Sequence, residues 1–264
     1  MFKIFTKWGK DKETIVTAYK TLGRSIINYA APIWTPQLAN SHWRSLQATQ
    51  NAALRTATGC HLITQEDHLH NECKVLPVRK HNNLLSQQYL LRCKTSNHPC
   101  NTVIQKALPP RTIRNLLKED EILTDGTIPG YDISEQDYKI GLQIIHRNAI
   151  NEATIHYMPN RVLNTPPPEV AEEEEKSLPR QTRTTLAQLR SGWCKLLNSY
   201  QNKINSEIDN TCPRCGLGPH DVQHLFTCTS KPTHLTTSDL WSHPEEVAKF
   251  LDLPTREDEE DADV

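Results

Sequence analysis

Apolar positions recur at helical spacing in three stretches near the start of the chain. Ile15, Tyr19, Leu22, Ile26 and Ile27 mark a helix from about Asp11 to Ala30, with Pro32 just past its end. Trp43, Leu46, Ala53, Leu54 and Ala57 mark a second, opened by a Ser41 cap and closed by Gly59. Leu84, Leu85, Gln88 and Leu91 form the inward side of a third, from Pro77 to about Cys93, with Arg79, Lys80 and His81 in its first turn. Farther along, Leu186, Leu189, Trp193, Leu196, Leu197, Tyr200 and Ile204 form one apolar stripe on a helix from about Thr184. Leu240, Trp241, Val247, Phe250 and Leu251 give a last short helix. The pattern is that of a mainly α fold.

Between these stretches the signal is weaker. Residues 95–160 mix turn residues with a short helical stretch at 111–121 and carry no motif. In 161–180 three consecutive prolines and four consecutive glutamates leave little to bury, as in a disordered linker or a long surface loop. The division expected is a basic helical region over 1–118, a mixed connection over 119–160, a Pro/Glu-rich linker over 161–180, a helical module over 181–254 and a disordered acidic tail over 255–264.

Charge sharpens this division. The net charge of −1 hides an asymmetry: residues 1–118 hold 17 Lys+Arg against 5 Asp+Glu, and residues 119–264 hold 13 against 26. A basic segment of that density attracts polyanions, which makes nucleic acid a candidate partner, although a solvated basic surface reads the same way. On the second helix Arg44, Gln47, Asn51 and Arg55 share one polar stripe suited to a phosphate backbone or to plain solvation. Cations at 79–81 oppose the helix dipole, which favours an external anion. Arg180, Arg183, Arg190, Lys195 and Lys203 add five charges with no acid among them. The candidate nucleic-acid contacts are Arg44, Arg55, Arg79, Lys80, Arg190 and Lys195.

No apolar run approaches the roughly 18 residues that cross a bilayer, and charge interrupts the N-terminus too soon for a secretory signal. The expectation is an intracellular chain, nuclear or cytoplasmic, whose eight cysteines remain thiols and are read first for metal ligation. Cys212 and Cys215 form a Cys-x2-Cys turn shaped by Pro213 and Gly216. His224 and Cys228 follow at i, i+4, on a helix for which Asp221 is the N-cap. Three thiolates and one imidazole make the closed tetrahedral shell of a structural zinc. His220 is a rival ligand outside that spacing. Cys60, His61, His68, His70 and Cys73 lack a paired-thiolate turn and read as structural or surface residues; Cys93, Cys100 and Cys194 read as small buried hydrophobes.

The runs WGKDKETIVTAYKTLGRSIINYAAPIWTPQL, SLQATQNAALRTATGC and HLHNECKVLPVRKHNNLLSQQYLL resemble the region that follows the polymerase core in reverse transcriptases of Jockey-like non-LTR retrotransposons. The stretches LAQLRSGWCKLLNSYQNKI, CPRCGLGPHDVQHLFTC and LWSHPEEVAKFL are similar to the C-terminal segment of the same family with its Cys-Cys-His-Cys knuckle. Together they span about two thirds of the chain in the expected order. The resemblance implies a thumb-like helical region, a knuckle that grips RNA or target DNA, and an RNA-directed DNA polymerase using Mg2+ in its full-length form. The sequence has no Asp-Asp pair to hold such ions, which points to a fragment, inactive alone, of a truncated reading frame. The competing expectation is a zinc-stabilised interaction protein, or a pseudogene product with no nucleic-acid role.

Overall fold

The computed structural model describes residues 11–35, 38–95 and 173–255, with isolated positions at 127–128, 131–132, 140, 143–144, 147 and 163. The chain is mainly helical, as expected. Helix α1 (Lys12–Ala18) starts where the Asp11 carboxylate accepts from the Thr14 N–H at 2.7 Å, and continues through a π-helical turn (Tyr19–Arg24) into α2 (Ser25–Asn28). Ala30, with a left-handed φ of 53°, leads to α3 (Ala31–Trp34). Helix α4 (Asn40–Thr58) takes in Ser41, expected as its cap, and ends at Gly59 with φ 73°. Then come α5 (Glu66–Cys73), α6 (Val78–Thr95) and a two-residue antiparallel pairing of β1 (Thr127–Ile128) with β2 (Tyr131–Asp132). The C-terminal third holds α7 (Glu173–Ser177), α8 (Arg180–Arg190), α9 (Asn198–Ile204), α10 (Val222–Thr227), α11 (Asp239–Ser242) and α12 (Pro244–Phe250). The helix expected at 111–121, the side chains of Cys93 and Cys100 and the tail beyond Thr255 lie outside the described residues.

The chain divides into two compact units that cut across the expected order. Met1–Thr17, Asn51–Lys74 and Tyr157–Val264 fall in one; Ala18–Gln50 and Val75–His156 fall in the other.

In the second of these, Trp43, Val78 and Leu84 are buried, and two amides of α4, Gln47 and Gln50, make internal hydrogen bonds. Gln47 accepts from the Val78 N–H at 3.0 Å, supplying a partner for an N-terminal amide of α6 that its own helix cannot reach. Gln50, wholly buried, accepts from the Tyr19 hydroxyl and donates to the Leu76 carbonyl, each at 3.0 Å. Arg24 donates to the same carbonyl at 2.8 Å.

In the first unit, Leu186 and Leu189 of α8 pack with Leu197, Phe226, Leu240 and Val247 in one apolar cluster. The stripe expected as one helix from Thr184 to Ile204 is broken. Gly192, at φ 78°, ends α8, and α9 restarts at Asn198. The phase of the stripe is lost across that turn, which leaves Leu196 47% and Ile204 70% exposed. The segment expected as a linker also differs: α7 lies inside it, and Leu163, Glu175 and Leu178 are buried.

Glu175 is buried because it has partners. Arg190, with no exposed surface, places Nη2 2.7 Å from Glu175 Oε2 and Nη1 3.1 Å from Glu72 Oε1. Its guanidinium also donates to the Leu240 carbonyl and lies 3.9 Å from the centroid of the Trp241 ring. Lys12 completes the network at 2.9 Å from Glu72 and 3.3 Å from Glu175. Two cations and two carboxylates neutralise each other where any one alone would be strongly destabilising. Arg190, expected on a nucleic-acid-contacting surface, is therefore an internal ion-pair residue.

Candidate metal centre

The residues that converge at the knuckle come from a tight turn and a short helix. Cys212 accepts at its carbonyl from the Gly216 N–H (2.9 Å) and donates its own N–H to the Gly218 carbonyl (3.1 Å), which folds the Cys-x2-Cys segment back on itself. Gly216 and Gly218 take φ values of 66° and 72°, a region that glycine enters without Cβ strain. Thr211 and Pro219 close the loop as an isolated antiparallel bridge. Asp221 then caps α10, its carboxylate accepting from the His224 N–H at 2.8 Å, as the sequence led one to expect. Cys228 stands at the C-cap of the same helix.

The side chains of Cys212, Cys215, His224 and Cys228 bring their ligand atoms within 4.8 Å of one another, and they form the only such cluster among the described residues. The pairwise distances suit one ion. Tetrahedral metal–sulfur bonds of about 2.3 Å imply sulfurs about 3.8 Å apart. Cys212 Sγ and Cys228 Sγ are 3.9 Å apart, and Cys215 Sγ lies 3.2 Å from His224 Nε2. The four residues can hold a metal ion.

Among the four, Cys212 is the thiol most readily ionised. Burial opposes ionisation of Cys212, but hydrogen bonds from the backbone amides of Cys215 and Arg214, joined by the two neighbouring thiols, bring its thiol down to about 6. The Leu217 N–H points at Cys215 Sγ from 3.3 Å and favours its thiolate, but burial and the neighbouring thiols of Cys212 and Cys228 outweigh that amide and raise the Cys215 thiol. Burial pushes the thiol of Cys60 up to about 12 and that of Cys194 up to about 11. Those two are protonated packing residues, and Cys73 is likewise buried.

The rival histidine has a different task. His220 Nδ1 accepts from the Asn198 N–H at 3.1 Å, and its carbonyl accepts from the Ser199 N–H at 3.2 Å. It caps α9, a role that no local spacing signals.

The expected nucleic-acid contacts separate into two groups. Arg44, Arg79, Lys80 and Lys195 are exposed, with Arg79 5.9 Å from the centroid of the Trp43 ring. Arg55 is half-buried and donates to the Thr64 carbonyl at 3.3 Å, and Arg190 is wholly internal. Within the stripe on α4, Asn51 is buried and Gln47 serves α6, which leaves Arg44 as its exposed cation.

No protein-family model, no curated protein and no solved structure matches the chain. Among the described residues no helix is long and apolar enough to cross a membrane.

Proposed function

We propose that the chain is a nucleic-acid-binding part of a reverse transcriptase of the non-LTR retrotransposon type, with a structural zinc at Cys212, Cys215, His224 and Cys228 and no catalytic centre of its own. The observation that carries the zinc is the ligand set: three sulfurs and one imidazole leave no open position for water, so the ion organises the fold and performs no chemistry. The nucleic-acid reading rests on the residue runs that resemble that family and on the basic segment before residue 119. The exposed cations Arg44, Arg79, Lys80 and Lys195 support it. The sequence offers no Asp-Asp pair for two Mg2+ ions, so polymerisation would require residues beyond those in this chain.

The test is binding of RNA and DNA oligonucleotides by the zinc-loaded chain across a salt series. Phosphate-driven binding gives a log–log slope of about −0.7 per neutralised phosphate on single strands and about −0.9 on duplex. Absence of binding at low salt rejects the reading.

One observation favours a second reading, a metal-stabilised protein-interaction module. Leu22, Ile26, Tyr29 and Ile33 are 51%, 77%, 82% and 71% exposed at spacings of three and four residues. Four large apolar side chains exposed within twelve residues suit a protein-binding surface. Under this reading the chain binds no nucleic acid in the salt series.

A further inference from the structure

Tyr200 of α9 gathers the rings of His61 and Trp193, from the turns after α4 and α8, in a group that the knuckle does not use. The His61 ring stacks on Tyr200, with centroids 4.6 Å apart and planes 19° from parallel. Tyr200 in turn meets Trp193 at 6.2 Å and 58°. Lys203 holds its ammonium 4.3 Å from the centroid of the Trp193 ring. His61 and Trp193 are half-buried, and Lys195, Lys203 and Leu196 around them are exposed. Burial and then the charge of Lys195 lower the His61 pKa, which favours the neutral ring.

We infer that His61 and Trp193, backed by the buried ring of Tyr200, form a stacking platform for the bases of a single-stranded nucleic acid, with Lys195 and Lys203 taking its phosphates. This inference rests on the nucleic-acid reading above and names the ligand class and the residues.

Three features point to this occupant. From Arg180 to Ser206 the chain carries cations and no acid, which complements a polyanion and disfavours a basic partner. Aromatic faces flanked by cations match unstacked bases, whose π-faces a duplex keeps covered. The ammonium of Lys203 on Trp193 is an exchangeable cover: a base gives the indole a better partner while a phosphate gives the ammonium one. The platform is also anchored, because His220 accepts from the Asn198 and Ser199 amides that open α9, the helix bearing Tyr200 and Lys203.

The experiment compares three oligonucleotides on the zinc-loaded full chain: a single strand with all its bases (an RNA and a DNA arm), the same strand with consecutive abasic sites, and a duplex. Stacking of one base, at about 1–3 kcal/mol, predicts that abasic substitution weakens single-strand binding about tenfold or more while the salt slope stays unchanged. Trp193→Leu is expected to bind the intact strand no more tightly than the wild type binds the abasic one, with duplex binding unaltered. Equal affinity of the wild type for intact and abasic strands overturns the platform and leaves phosphate binding standing. No binding to any of the three at low salt overturns the nucleic-acid reading itself. The abasic comparison needs only the wild-type chain, so a failure of Trp193→Leu to fold leaves the test intact.

Discussion

Arg190 Nη2 and Glu175 Oε2 lie 2.7 Å apart with both side chains buried, fifteen residues apart in sequence. Removing the guanidinium by Arg190→Ala leaves Glu72 and Glu175 with Lys12 as their only remaining cation in the network. Losing one member of a buried charge group costs about 3–5 kcal/mol. Chemical denaturation should show a loss of that size for Arg190→Ala and a change within about 0.5 kcal/mol for the exposed Lys195→Ala. Comparable small losses for both would mean that Arg190 is solvated.

The same network sets an acid limit. Burial pushes the carboxyl of Glu72 up, but Lys12, then Arg190 and His68, overcome it and hold it far below its ordinary 4.5. Glu175, also opposed by burial, is drawn down chiefly by Arg190 and then by Lys12. For carboxylates lowered in the folded state, the stabilisation is present above about pH 4.5 and disappears as pH falls through the folded pKa. His68, lowered mainly by burial from 6.5, also takes up a proton more readily when unfolded, which adds an earlier loss below that pH. Thermal melts should decline in two stages as pH falls, and Glu175→Gln should flatten the stage below pH 4.5.

At the metal centre the two neighbouring histidines should separate cleanly. His220→Ala is expected to retain one equivalent of zinc while weakening α9, whereas His224→Ala removes a ligand and lowers affinity. Cobalt substitution reports this directly, through the tetrahedral absorption of a three-sulfur, one-nitrogen site. Chelation should unfold the segment around α10 and open Cys212, Cys215 and Cys228 to thiol reagents, while Cys60 and Cys194, buried elsewhere, react more slowly.

Gly59 and Gly216 allow backbone strain to be distinguished from crowding. Both have a left-handed φ, but a Cβ on Gly59 would sit 2.4 Å from Thr184 Cγ2, while one on Gly216 meets nothing within 4 Å. Gly216→Ala should cost about 1 kcal/mol from backbone strain, and Gly59→Ala about 2–4 kcal/mol once overpacking is added. A lower urea midpoint at unchanged m-value would report each.

What could be read from the sequence follows from the range of the interactions. The knuckle was legible because its turn, cap and i, i+4 pair are set by neighbours in the chain: Cys-x2-Cys, Asp221, and His224 with Cys228. The helices read over 11–30, 41–59 and 77–93 were legible from apolar period, with Gly59 as the stop of the second, but the stop at Gly192 was not, because apolar residues continue in sequence across it. The fate of Arg190 was not, since its partner Glu72 is 118 residues away and a buried arginine has the same letter as a solvated one. Four consecutive glutamates read as solvated on average, and only the fold buries Glu175 beside the exposed Glu174. Gln47 and Asn51 looked like a phosphate-facing stripe because the amides they could serve, such as that of Val78, lie outside any local window.

The ion pair between Lys12 and Glu175 spans 163 residues. During synthesis at about 5–20 residues per second, Lys12 waits on the order of ten to thirty seconds before its second carboxylate leaves the ribosome, and longer for Trp241 to cover Arg190. Until then α1 and α5 carry charges destined for burial with no interior to enter. Closure of this body is therefore a late event in synthesis, of high contact order, and a chain ending before α7 would leave Lys12 and Glu72 of the N-terminal segments without Glu175 and Arg190.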